Sequence, residues 1–117
     1  HTILVVDDND DVLNLMQRYL TPQFFRVVVC QSGQQALELA PRLQPDLITV
    51  DLMMPEQDGW DVLQALLSRP DTRHIPIVVC SVLHEQDLAL ALGAAGFIEK
   101  PITEHGLLAA LLPLLPG

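Results

Sequence analysis

Positive charge is scarce in this 117-residue chain: Lys and Arg number 6 against 15 Asp and Glu, a formal net charge of −9. Neutralising nucleic-acid phosphates or holding an anionic membrane takes clustered cations, so neither direct nucleic acid binding nor membrane binding is expected. Long apolar runs are missing as well. Stretches such as Ile48-Thr49-Val50 and Ile77-Val78-Val79 stop at charge, proline or glycine, far short of the roughly 20 residues that span a bilayer, and no secretion signal is present. Two cysteines, Cys30 and Cys80, are too few for a disulfide framework and lack metal-ligand spacing. That usage points to a reducing, cytoplasmic compartment. The first loop, Asp7-Asp8-Asn9-Asp10, has no glycine and repels anions. A nucleotide-binding enzyme that cradles phosphate on a helix N-terminus is thereby disfavoured.

What the chain does have is apolar residues, half of the total, enough for the core of one domain and too short for two. Ile3 to Val6 reads as a strand, and from Val12 apolar residues recur at helical spacing until Pro22. The alternation continues, with strands expected at 26–30, 47–50, 76–80 and 96–98. Helices are expected around 36–43, 60–67, 85–94 and 104–112, with Met54-Pro55 and Asp58-Gly59 forming a loop before the third. Continuous Val/Ile/Leu strands are buried on both faces, as in a parallel sheet covered by helices. The expected fold class is α/β, a doubly wound (βα)5 three-layer sandwich in one domain, 1–117. Opening without Met directly on a strand, it is expected to be excised from a longer chain.

In open parallel sheets the functional crevice lies beyond the carboxyl ends of the strands. Asp7 and Asp8 follow strand one, Asp51 strand three, Ser81 strand four and Lys100 strand five, so all five meet at one rim. Three neighbouring carboxylates repel one another, and a hard divalent cation with oxygen ligands resolves the conflict, which makes Mg2+ the expected metal. Such a shell, with the Lys100 ammonium and Ser81 hydroxyl beside it, can hold the oxygens of a transferring phosphoryl group. Asp51, central and alone at its strand end, is the candidate nucleophile. Asp10 and Asp11 are read as helix-start acids and no more.

These residues resemble the receiver domain of two-component response regulators. The stretches that carry the likeness are ILVVDD at 3–8, PDLITVDLMMPEQDGW at 45–60, IPIVVCS at 75–81 and GFIEKP at 96–101. The resemblance implies a flavodoxin-like sheet of order 2-1-3-4-5 and a phosphoryl group arriving on Asp51 from a phosphohistidine of a histidine kinase or phosphotransfer protein. It implies Mg2+ held by Asp7, Asp8, Asp51 and the Met53 carbonyl, with Ser81 and Lys100 catalytic at the phosphoryl oxygens and a cis Lys100-Pro101 bond. Ser81 and Phe97 are the implied switch residues, acting on the face of helix 4, strand 5 and helix 5. Phe97 has no hydroxyl and can report only through packing.

In the family the residues two beyond the acceptor and two beyond the hydroxyl tune phosphate lifetime. Here they are Met53 and Leu83, apolar and unable to orient an attacking water. Slow self-dephosphorylation follows, and Val82 adds bulk beside the site. Such a domain modifies itself and is not a turnover enzyme. A Mg2+-dependent phosphohydrolase would need an acid where Met53 stands. The alternative is a pseudo-receiver that takes no phosphate and serves as a binding or dimerisation module. Leu88, Leu90 and Leu92 cannot all point inward from one helix, so some apolar surface is expected there; the resemblance implies the helix 4, strand 5, helix 5 face as an output surface, and with it a homodimer or an intramolecular contact. The apolar tail from Leu107, broken at Pro113 and Pro116, is read as the root of a linker. Cys30 and Cys80 end strands about 14 Å apart, too far to bridge.

Overall fold

The computed structural model describes residues 1–54 and 57–115, with the backbone alone at 57 and 58. Pro55 and Pro116, read above as a loop residue and a chain breaker, lie outside the described residues. The order is β1 (Thr2–Val6), α1 (Asp10–Leu20), β2 (Arg26–Cys30), α2 (Gly33–Leu43), β3 (Leu47–Val50), β4 (Met53–Met54), β5 (Gln57–Asp58), α3 (Gly59–Ser68), β6 (Ile77–Ser81), α4 (Gln86–Leu92), β7 (Gly96–Glu99) and α5 (Glu104–Leu111). Strands β2-β1-β3-β6-β7 form one five-stranded sheet, all neighbours parallel. With the two-residue strands β4 and β5 set aside as a separate antiparallel pair, this is the 2-1-3-4-5 order expected from the sequence.

Alternation along each strand divides the core between two faces. Leu4, Val6, Ile48, Val50, Ile77 and Val79 pack with Ala36 and Ala40 of α2, Val62, Leu63 and Leu66 of α3, and Ala89 of α4. Ile3, Val5, Leu47, Val78 and Ile98 pack on the other side with Leu13, Met16 and Leu20 of α1 and Leu107 and Leu111 of α5. The result is a three-layer sandwich. Pro41 lies inside α2 without breaking it. Its ring removes the N–H that would have bonded the Leu37 carbonyl, and the Arg69 guanidinium approaches that carbonyl at 3.5 Å.

Element ends moved slightly from their sequence positions. α1 starts at Asp10, earlier than Val12, because the Asn9 side chain caps it by accepting from the backbone N–H groups of Asp11 and Val12. β6 runs one residue further than expected, so Ser81 is its last residue, paired with Glu99 of β7. α4 is shorter than the reading of 85–94, stopped by Gly93 at φ +119°, a conformation that favours glycine.

Candidate functional site

The sheet rim gathers the polar residues. Asp7 directly follows β1 and Asp51 directly follows β3, and both remain in the sheet's hydrogen-bonding pattern. The Asp7 N–H donates to the Cys30 carbonyl and the Asp51 N–H to the Val6 carbonyl, each at 3.0 Å. Both side chains are buried, whereas Asp8, at the start of the loop, is more exposed. One carboxylate oxygen from each of the three lies within 4.8 Å of the others. This is the only such acidic, His or Cys cluster among the described residues. Asp10 and Asp11 stay outside it in the first turn of α1, as the sequence suggested, and Asp10 accepts a hydrogen bond from the Gln31 side-chain amide.

Lys100, directly after β7, reaches the carboxylates. Its Nζ donates to Asp7 Oδ2 at 2.8 Å and stands 3.4 Å from Asp51 Oδ2. The Lys100 backbone N–H donates to the Ser81 carbonyl at 2.9 Å, tying the ends of β6 and β7 together, and the Lys100–Pro101 bond is cis, as the resemblance implied. Ser81 is fully buried, and its Oγ accepts the Leu83 N–H at 3.1 Å. The other Asp51 oxygen, Oδ1, accepts the Met53 N–H at 3.1 Å.

Burial is the main influence on Asp51 and raises its pKa above the ordinary carboxylate value; the Met53 N–H opposes this, the Asp7 charge adds to it and Lys100 opposes it. For Lys100 burial pulls the other way, but the hydrogen bond to Asp7 and the charges of Asp7 and Asp51 outweigh it, so its pKa is raised. Three carboxylates against one ammonium leave an excess of two negative charges. A hard divalent cation matches both that charge and the oxygen donor set, so the residues present fit Mg2+.

Phe97 does not join the polar cluster. It pairs with Val79, two residues before the Ser81–Glu99 pair, and packs half-buried against the core on the α4 side. A groove of about 450 Å3 runs between it and α4, with His84, Asp87, Leu88 and Glu99 among its walls. His84 sits at that rim, paired with Glu99 and largely exposed. His74 is far off at the opposite end of the sheet, bonded to Gln44. Cys30 and Cys80 are buried and free, and burial pushes the Cys80 thiol up to about 12. The sequence required only that Leu88, Leu90 and Leu92 not all point inward; all three are exposed.

Gly59 is a residue whose part in the site the sequence reading missed. It begins α3 and packs so close to the end of β3 that a Cβ would lie 2.3 Å from the Asp51 carbonyl oxygen and 2.4 Å from Leu52 Cα. The dipeptide Asp58-Gly59 signalled a turn, and only the packing of α3 against β3 reveals why the glycine is required.

The sequence matches the model of the response regulator receiver domain over residues 3–112. The chain is 38% identical over 115 residues to the response regulator PleD of Caulobacter vibrioides, an alignment covering 96% of this chain and 25% of that protein. It therefore spans about a quarter of that relative's length. Among solved structures it is similar to the BeF3-activated N-terminal receiver domain of Klebsiella pneumoniae RstA, 32% identical with a TM-score of 0.86 and full coverage of both chains. The receiver domain of the sensor histidine kinase PA1611 of Pseudomonas aeruginosa, which has magnesium coordinated in its active-site cleft, is 25% identical with a TM-score of 0.86, covering 97% of this chain and 95% of that one. The chain belongs to the response regulator receiver domain family of two-component systems. It is a phosphoacceptor domain, CheY-like in fold, with an aspartate cluster able to coordinate Mg2+. Among the described residues no helix is long and apolar enough to cross a membrane.

Proposed function

We propose that Asp51 accepts a phosphoryl group from a phosphohistidine on a histidine kinase or phosphotransfer protein, and that the modification signals through the face of α4, β7 and α5. The observation that carries this reading is the position of the Asp51 carboxylate, buried at the centre of the rim, with Lys100 Nζ 3.4 Å from one oxygen and the Met53 N–H 3.1 Å from the other. Asp7, Asp8 and Asp51, with the Met53 carbonyl, would hold Mg2+, which supplies charge neutralisation for the incoming phosphoryl oxygens. An Asp51 oxygen attacks phosphorus, the P–N bond of the donor breaks as the P–O bond forms, and the imidazole, carrying its proton on the other ring nitrogen, departs neutral with the bonding pair. Lys100 offers its ammonium to a phosphoryl oxygen. Ser81 offers its hydroxyl to another once it gives up the Leu83 N–H, and Phe97 follows by repacking beside α4.

Apolar Met53 and Leu83 support a slow return to the unmodified state, since neither side chain can orient water for hydrolysis. The exposed leucines of α4 support self-association of two copies on the output face. Two free thiols support a reducing, cytoplasmic location, and the net charge of −9 favours protein partners over direct nucleic acid contact. The short span relative to PleD supports a receiver unit within a larger signalling protein.

Intact-mass spectrometry after incubation with phosphoramidate or acetyl phosphate tests the core of the proposal. A gain of about 80 Da that needs Mg2+ and is absent in Asp51→Ala is expected for one added phosphoryl group. No gain with either donor, together with no response to beryllium fluoride, would leave a pseudo-receiver acting only as a binding module.

A further inference from the structure

The chain has three methionines, and they differ sharply in exposure. Met16 is 1% exposed beneath α1 and Met54 is 8% exposed in the core under α3, whereas Met53 is 52% exposed. The difference follows from local structure: Met53 and Met54 are consecutive residues of β4, and successive strand side chains point to opposite faces. With Met54 taken into the core, Met53 is turned out to solvent. Its backbone N–H is the group that bonds Asp51 Oδ1 at 3.1 Å, so the thioether is tethered within one side-chain length of any group carried on that carboxylate.

We propose that Met53 is an oxidation site through which peroxide-class oxidants shorten the life of the phosphorylated state. This deepens the reading of Asp51 as phosphoacceptor and rests on it. The thioether sulfur attacks one peroxide oxygen, the O–O bond breaks, an S=O bond forms and the other oxygen leaves as water; sulfur loses two electrons and the peroxide gains them. Accessible thioethers react first, and buried ones are protected by packing. The product replaces an apolar side chain with a strong hydrogen-bond acceptor beside the acyl phosphate. An acceptor there can hold and orient a water for attack on phosphorus, which the unmodified thioether and Leu83 cannot do.

The experiment has two readouts on the same protein. Limited hydrogen peroxide treatment followed by peptide mapping should oxidise Met53 about tenfold faster than Met16 or Met54. The oxidised and untreated proteins are then phosphorylated with phosphoramidate and Mg2+, and the adduct is followed by intact mass after donor removal. Oxidation should shorten its half-life about threefold or more. The same treatment should leave the half-life of Met53→Leu at its own untreated value, and Met53→Gln should shorten it without peroxide. Equal oxidation of the three methionines, or a half-life that peroxide does not change, overturns the proposal. Failure to form any Asp51 adduct would instead sink the acceptor reading, while the oxidation map would still decide whether Met53 is the reactive methionine.

Discussion

Among the described residues Lys100 is the one cation facing two buried carboxylates, 2.8 Å from Asp7 and 3.4 Å from Asp51, with only 14% of its side chain exposed. Replacing it by methionine keeps the apolar stem and removes the charge, leaving two buried carboxylates without their partner. Without metal, Lys100→Met should lose about 2 kcal/mol in urea unfolding at neutral pH. The same change removes a positive charge that repels an incoming cation, so Mg2+ should bind about tenfold tighter by calorimetry. Phosphoryl transfer should move the opposite way, slowing by about a hundredfold as a stabiliser of the developing charge is lost. Tighter metal binding with slower transfer separates a group that acts on phosphoryl oxygens from one that only holds the fold together. If both fall together, Lys100 is structural.

At the scale of elements, the contact between α3 and the end of β3 sets the acceptor's position. Gly59→Ala would place a Cβ 2.3 Å from the Asp51 carbonyl oxygen, and that neighbour is backbone with no rotamer to give way. The segment from Asp51 to Met53 must shift, and with it the N–H that bonds Asp51 Oδ1. A stability loss of about 2–3 kcal/mol in urea unfolding is expected, with an Asp51 adduct that forms much more slowly; an unchanged adduct rate would show that the acceptor tolerates the displacement. The five principal strands were legible as continuous apolar runs and the five helices by apolar residues at helical spacing, and their order brought Asp7, Asp8, Asp51, Ser81 and Lys100 to one rim. The pair β4 and β5 was not legible, since two-residue strands have no period. Nor were the capped start of α1 and the steric need for Gly59, because a side-chain cap and a close approach depend on tertiary placement. The bridging of Asp7 and Asp51 by Lys100 depends likewise on a contact between residues 93 apart in sequence.

For the whole molecule, the cost of gathering negative charge appears in the pH dependence of stability. Asp51 holds its proton more tightly in the folded state than in the unfolded chain, chiefly because it is buried. Its ionisation therefore opposes folding, and its contribution to stability falls as pH rises from the ordinary 3.8 through the raised value. Lys100 and Cys80 also hold their protons more tightly when folded, so their contributions are lost on the alkaline side, from 10.5 upward for Lys100 and between 9.0 and about 12 for Cys80. Mg2+ changes the acid window, because it binds ionised carboxylates and adds stability in proportion to that binding. At a concentration of a hundred times its Kd the addition is about 2.7 kcal/mol. Urea unfolding at fixed ionic strength should therefore show a Mg2+ increment that is small near pH 4 and grows as Asp51 ionises at higher pH. Asp51→Asn isolates this residue from the other carboxylates of an acidic chain. In that variant the metal-free protein should be no less stable than the parent at pH 7, because a buried charge has been removed, and most of the Mg2+ increment should vanish. A Mg2+ increment of the same size at pH 4 and pH 7, or one that survives Asp51→Asn intact, would place the cation somewhere other than this rim.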